Sequence, residues 1–256
     1  MRKNRLLDKL FNSVDANKIL WDKALFNDYF SDYINHAYLP INKDTTELEI
    51  ENFYKVTHNK GGYLVKPNSL FYGKGIYKHS TIDELKRIWN SGESYIVEEV
   101  VKNVDELSVL NDSSLNTLRV VTIIDRFGEV NIIAIILRTG SKGAIIDNFL
   151  GGGGTCYHVD IKTGVVDSPG MCAKGNSYIE HPSSGYIMPG YRIPKFEEVK
   201  QYVIKLAKHL PKARYVGWDI AVTDKGVDVI EGNVSPSAEL IQCNKRGLYK
   251  IIKSYY

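Results

Sequence analysis

Gly217-Trp-Asp-Ile-Ala-Val-Thr-Asp-Lys-Gly-Val-Asp-Val-Ile-Glu-Gly-Asn233 reads as two β-strands joined by a tight turn. Val216 to Thr223 is rich in β-branched and aromatic residues. Asp224-Lys225-Gly226 supplies the turn, with Gly226 free to take positive φ. A second strand runs from Val227 to Glu231 or slightly beyond. Side chains alternate faces along a strand, so Glu231 and Asn233 point the same way, and Asp219 on the facing strand comes alongside them. Two carboxylates and one amide oxygen then converge at one end of the hairpin. Such hard oxygen donors suit Mg²⁺, whose shell is completed by phosphate oxygens and water. The plainer reading is a solvated acidic hairpin. Against it, Asp219 lies between Trp218 and Ile220, and Glu231 follows Val-Asp-Val-Ile. A charge at the end of an apolar strand is costly unless paired or metal-bound.

Composition sets the frame for that hairpin. The 256 residues are 43% hydrophobic and 25% charged, enough for one large domain or two small ones with a real core. A net charge of +3 implies no strong polyanion-binding field, so no nucleic-acid partner is expected. A membrane span needs about 18 consecutive apolar residues, and the longest such run is Ile132 to Leu137. No secretory segment follows Met1. Cys156, Cys172 and Cys243 are odd in number and make no Cys-x-x-Cys pair, which argues for a reducing, cytoplasmic setting over disulfides or zinc. His158 and His181 read as ordinary surface or core residues.

Apolar spacing predicts a helical region from about 4 to 36, closed by Leu39-Pro40. A second helix is expected from Thr45 or Thr46 to about His58, ending at Gly61-Gly62. Tyr63 to Lys66 reads as a strand, and Thr81-Ile-Asp-Glu84 as a capping box opening another helix. Tyr95 to Val101 reads as the next strand. Leu118 to Asp125 and Val130 to Leu137 form a strand pair, and Thr155 to Ile161 another strand. Residues 167 to 194 read as irregular, Glu197 to Leu210 as a helix stopped by Pro211, and 238 to 256 as helical. A change of texture near 102 suggests two closely packed α+β lobes. The expected division is 1–40 helical, 41–102 one lobe and 103–256 the other.

Several residues outside the hairpin suggest chemistry. Lys66 ends a strand and is followed by Gly73-Lys74-Gly75. Glycines let backbone N–H groups approach phosphates and an ammonium neutralises them, although a plain turn has the same pattern. Glu98-Glu99 interrupt an apolar strand. A strand crossing between lobes offers backbone groups to an adenine edge, with a later acid such as Asp105 on ribose hydroxyls. Arg119 and Arg138 sit in or at the end of apolar strands, where a guanidinium needs an anionic partner, either a salt bridge or a substrate phosphate or carboxylate. Asp147-Asn148 followed by Gly151 to Gly154 reads as a flexible loop, a close-approach surface or a set of oxyanion donors.

In this order the parts resemble the ATP-grasp superfamily: Asp22-Lys23, Tyr63-Leu-Val-Lys66-Pro with its glycine loop, Tyr95-Ile-Val-Glu-Glu99, and Asp219 with Glu231-Gly-Asn233. The ending Glu231-Gly-Asn-Val-Ser-Pro-Ser237 is similar to the metal-binding segment of D-alanine–D-alanine ligases. A nearer resemblance is to the sugar-transfer-associated ATP-grasp family, through Ser114-Leu-Asn-Thr-Leu-Arg-Val-Val-Thr122, Asp147-Asn148 with its glycines, and Val216-Gly-Trp-Asp-Ile-Ala-Val-Thr223. The resemblance implies an α+β ATP-grasp fold, two lobes with ATP between them. It implies that Lys23 and Lys66 hold ATP phosphates under a loop from Gly73 to Gly75. Glu98, Glu99 and Val100 would form the adenine hinge, and Asp105 the ribose contact. Asp219, Glu231 and Asn233 would bind Mg²⁺ (or Mn²⁺), and Arg119 and Arg138 would stabilise the transferred phosphoryl or acyl group. About twenty residues precede Lys23, so most of the usual pre-grasp domain is expected to be missing. The arginine that D-alanine ligases place two residues before the metal aspartate is replaced by Gly217, with Arg138 as the candidate substitute.

The expected activity is an ATP-dependent carboxylate–amine ligase working through an acylphosphate. Its partners would be a small-molecule carboxylate donor and an amine acceptor, sugar-linked in polysaccharide biosynthesis. A kinase with Asp147 or Asp125 as base, and a non-catalytic nucleotide-binding module, are the alternatives.

Overall fold

The computed structural model describes residues 7, 9–68, 75–147, 149, 153–243 and 247–255, and builds them around two antiparallel sheets. The first helical region is split into α1 (Val14–Trp21) and α2 (Lys23–Tyr29). Asp22 divides them. Its backbone is extended, and its carboxylate accepts from the Leu25 N–H at 3.0 Å, capping α2. Apolar spacing alone does not register such a cap inside a helical run. Ala16, Leu20, Phe26 and Phe30 bury against Leu118 and Trp218, so these helices belong to the core of the larger sheet.

The smaller sheet has β1 (Tyr38–Ile41), β2 (Tyr63–Pro67), β3 (Tyr77–His79) and β4 (Tyr95–Glu99), in the order β1-β4-β2-β3. Strand β1 contains the Leu39-Pro40 pair expected only to end a helix. Proline is tolerated because β1 lies at the sheet edge. Helices α3 (Glu47–Thr57) and α4 (Ile82–Asn90) both open with complete capping boxes, Thr46 with Glu49 and Thr81 with Glu84. Their Ile50, Phe53 and Leu85 cover Ile41, Tyr63, Val65 and Val97. Alternation therefore turns Lys66 and Glu98 to the opposite face, where both are buried.

After the short helix α5 (Asp105–Ser108) comes the larger sheet. Its strands are β5 (Thr117–Ile124), β6 (Val130–Thr139), β7 (Thr155–His158), β8 (Gly170–Cys172), β9 (Ser177–Tyr178), β10 (Tyr215–Thr223) and β11 (Gly226–Val234). Their order is β11-β10-β5-β6-β7-β8-β9. Strands β8 and β9 fall in the region expected to be irregular. Strands of two or three residues are too short to show a period.

Helix α6 (Phe196–His209) packs Val199, Val203, Leu206 and Ala207 onto one sheet face, against Leu118, Val120, Val216, Trp218, Ile220 and Val222. Each such aliphatic side chain contributes about 1.5–3 kcal/mol on burial. The intervening residues Arg119, Val121, Tyr215, Gly217 and Asp219 must then occupy the other face. Phe11 and the C-terminal helices α7 (Ala238–Ile241) and α8 (Tyr249–Lys253) cover the apolar part of that face through Ile241 and Ile252. The polar end holds Arg119 and Asp219. Among the described residues no helix is long and apolar enough to cross a membrane.

Candidate active site between the two sheets

On the larger sheet, strand pairing gathers the charged groups. Asp219 stands opposite Arg119 on β5 and opposite Glu231 on β11, while Gly217 stands opposite Asn233. Gly226, at φ 116°, closes the hairpin as its sequence suggests. Arg119 clasps Asp219 bidentately, with Nε donating to Oδ1 and Nη2 to Oδ2 at 2.9 Å. Arg138 Nη1 also donates to Asp219 Oδ2, at 2.7 Å, and its Nη2 donates to Asp147 Oδ1 at 2.9 Å. Thr117 Oγ1 donates to the other Asp147 oxygen. Burial alone would lift the Asp219 carboxyl, but the two guanidiniums outweigh it and hold the group well below the usual carboxylate range. Glu231 is shifted the other way, raised first by burial and then by the Asp219 charge.

Glu231 stands opposite Asp219, and Asn233 Nδ2 donates to Glu231 Oε1 at 3.0 Å. Two neighbouring carboxyls beside an amide oxygen are a donor set that fits a hard divalent cation. Among the described residues no three His, Cys, Asp or Glu side chains form a cage alone.

Gly217 makes room for this cluster. A Cβ there would lie 2.9 Å from Arg119 Cδ and 3.1 Å from Pro236 Cγ. Arg119, alongside Arg138, occupies the neighbourhood of the arginine missing at 217. Gly217→Ala is expected to push Arg119 off Asp219, lowering stability by about 1–3 kcal/mol. Thermal melting checks this, and an unchanged melt would mean that the contact relaxes freely.

The smaller sheet supplies Lys66, and α2 supplies Lys23. Lys66 Nζ donates to Glu98 Oε2, and Lys23 Nζ donates to the Pro67 carbonyl at 3.2 Å. Burial lowers the Lys23 pKa, with Glu231, Lys66 and Glu98 all acting on it, so Lys23 lies where the two sheets' charged groups meet. Asn68 ties the same junction, donating to Asp22 Oδ2 at 3.1 Å and accepting from the Ala24 N–H at 3.1 Å.

Glu98 and Glu99 lie on a strand flanked by β1 and β2, both buried and both paired. Glu98 meets Lys66, and Glu99 accepts from Lys60 Nζ at 3.2 Å and from the Ala37 N–H at 3.2 Å. In the segment expected as the adenine hinge, the Glu99 and Val100 N–H groups bond to Ala37 O at 2.8 Å and Gly62 O at 3.3 Å. Asp125, a candidate base, is a half-buried residue of the β5–β6 turn, where its carboxylate accepts from the Phe127 and Glu129 N–H groups. That turn lies at the far end of β5 from Arg119. Asp105 is exposed at the start of α5. Gly75 takes φ 71°, while Gly73, Asn148, Gly151 and Gly152 lie outside the described residues.

His36 is the group that sequence reasoning missed. It is buried in the segment between α2 and β1 and bridges the sheets. Its Nδ1–H donates to Asp228 Oδ2 on β11 at 2.7 Å, and its Nε2 stands 3.7 Å from Glu98 Oε2 on β4. Burial would push this imidazole down, but Asp228 and Glu98 outweigh it and raise its pKa to about 9. No local pattern marks it, because its partners lie far along the chain. His181 is an interior residue, accepting at Nδ1 and donating from Nε2 to Thr139 Oγ1 at 2.8 Å. His158 pairs with Asp167 at 2.6 Å.

The model of the family described as sugar-transfer associated ATP-grasp matches residues 2–255. Comparison with curated proteins found no match. The ATP-grasp ligase PsnB complexed with minimal precursor is 16% identical at a TM-score of 0.57, covering 96% of this chain and 63% of that one. D-alanyl-alanine synthetase A from Vibrio cholerae O1 biovar eltor is 14% identical at 0.59, covering 95% and 67%. The D-alanine-D-alanine ligase from Coxiella burnetii is 12% identical at 0.56, covering 98% and 59%. These likenesses show the fold, with two sheet-containing lobes. The chain spans less than two thirds of the PsnB and Coxiella chains.

Proposed function

Because the chain belongs to the sugar-transfer-associated ATP-grasp family, we propose that it is an ATP- and Mg²⁺-dependent carboxylate–amine ligase. It would join an amino acid or other carboxylate to an amine on a sugar or glycan precursor. The observation that carries this reading is the meeting of two charge sets at one junction. Lys66 comes from the smaller sheet and Lys23 from α2, and they meet Asp219, Glu231 and Asn233 with Arg119 and Arg138 on the larger sheet.

In this reading Lys23 and Lys66 neutralise ATP phosphates, and Asp105 meets the ribose. The adenine edge is met by backbone beyond the two committed N–H groups. Asp219, Glu231 and Asn233 hold Mg²⁺, which supplies charge neutralisation to the phosphate oxygens. The donor carboxylate attacks the γ-phosphorus in line, the bond to the bridging oxygen breaks, and ADP leaves. Arg119 and Arg138 steady the charge on the transferred group. The acceptor amine then attacks the acyl carbon, phosphate departs and the nitrogen loses its proton. No side-chain nucleophile is needed.

Calorimetry with ATP, with and without Mg²⁺, followed by phosphate release across amino acids and amino sugars, tests the reading. Lys66→Ala is expected to weaken ATP binding at least about tenfold, the loss of one charge-assisted contact. Unchanged affinity would remove Lys66 from the phosphate site. Phosphate retained on a hydroxyl product would replace the ligase reading with a kinase.

A further inference from the structure

Glu98 Oε2 faces two cations at once. Lys66 donates to it directly, and the buried His36 Nε2 has no hydrogen-bond partner although it stands 3.7 Å from the same oxygen. His36 is fixed from behind by Asp228, whose other oxygen accepts from the Asn35 N–H at 2.9 Å. Asp228, His36, Glu98 and Lys66 alternate in sign, so their charges cancel while Lys66 stays on Glu98. A lysine that is to meet a phosphate must loosen that contact. A buried carboxylate left without a counter-ion is strongly penalised. Here a second cation stands within a small side-chain shift of hydrogen-bonding distance.

We propose that His36 is a positioning residue for nucleotide binding: it is the reserve counter-ion of Glu98, which lets Lys66 pass from Glu98 to a nucleotide phosphate without stranding a buried carboxylate. This rests on the reading of Lys66 as a phosphate ligand. The role needs an imidazolium at neutral pH. The flanking Asp228 and Glu98 provide for one, since they raise the pKa to about 9. The pairing also links the sheets, because Asp228 lies on β11, three residues before Glu231.

The test is calorimetric titration of MgATP into wild type, His36→Asn, Glu98→Gln and the double variant. His36→Asn is expected to weaken binding by about 10–100-fold, the range of a charge-assisted hydrogen bond. Most of that loss should vanish in the Glu98→Gln background, where Lys66 faces a neutral amide and needs no replacement. A merely structural His36 gives the same loss in both backgrounds, and that result, or no loss at all, overturns the proposal. Absence of MgATP binding in wild type instead overturns the nucleotide reading beneath it.

A pH series needs no change at His36 and covers the case of a poorly folded variant. The charged groups that act on the imidazole are Glu98 from β4 and Asp228 from β11, while Lys66 from β2 acts on Glu98, and Glu98 acts on Lys23 from α2. As pH rises through about 9, wild type should lose affinity faster than Glu98→Gln. Glu98 raises the Lys23 pKa, so Glu98→Gln makes Lys23 lose its proton earlier; that works against the expected difference and does not create it. Parallel pH profiles overturn the proposal.

Discussion

Replacing Asp219 with alanine is expected to lower unfolding stability by about 3–5 kcal/mol and to abolish MgATP-dependent turnover, because it removes one partner of a buried ionic cluster. Arg119 suffers most. Its side-chain hydrogen bonds to the described residues run to Asp219 alone, whereas Arg138 keeps Asp147. Asparagine is a poor substitute despite its shape. Its amide nitrogen would face guanidinium N–H groups, donor against donor, on at least one side. The pH dependence distinguishes charge from packing. The Asp219 carboxyl is depressed in the folded chain, so its stabilisation is present above the unfolded carboxylate pKa and is lost as pH falls toward the folded value. The stability gap between wild type and Asp219→Asn should be full at about pH 7 and should narrow below about pH 4. Urea unfolding across that range measures it. A gap constant with pH would mean that lost packing, not lost charge, causes the effect.

The hairpin carrying Asp219 was legible because its physics is local. A period of two places Glu231 and Asn233 on one face, and the turn at Gly226 sets the first half of the register; a β-bulge between Ile220 and Asp219 then shifts it by one residue, so that Glu231 and not Ile230 stands opposite Asp219, a step that no local pattern shows. The capping boxes at Thr46 and Thr81 were legible in kind, since each closes within four residues, although only the second was noted from the sequence. What local pattern cannot show is partner choice over distance. Glu98 stood out as an acid in an apolar strand, yet nothing near it indicates Lys66 across the sheet or His36 from another segment. Arg119 and Arg138 plainly required anions. That both would close on Asp219, with Asp147 behind Arg138, follows only from the β10–β5–β6 pairing. Strand β1 was hidden by Pro40, which reads as a break unless the sheet edge is known.

Glu231→Gln is expected to move stability and function in opposite directions. Glu231 is a partly buried carboxyl beside a firmly ionised Asp219, and its pKa is raised by burial and by that neighbour. A carboxyl raised in the folded state weakens the fold at neutral pH, because folding there works against its charge. Glutamine removes the charge, keeps the side-chain length and offers Asp219 an amide donor. Asn233 retains the carbonyl oxygen to which its Nδ2 donates. The melting temperature without nucleotide should therefore rise by a few degrees. Turnover should move the other way, because an amide oxygen is a weak substitute for a carboxylate ligand. Loss of even a residue that only hydrogen-bonds to a metal ligand typically costs about 10–100-fold in metal affinity or activity, and a direct ligand should cost no less. Thermal melts and steady-state phosphate release on the same protein, across a Mg²⁺ titration, read both signs. A variant that melts lower and turns over normally would place Glu231 in the scaffold, with Asp219 ionised for the sake of the arginines alone. One that melts higher and fails to turn over would identify the acidic pair as a site whose repulsion the fold tolerates because a cation relieves it.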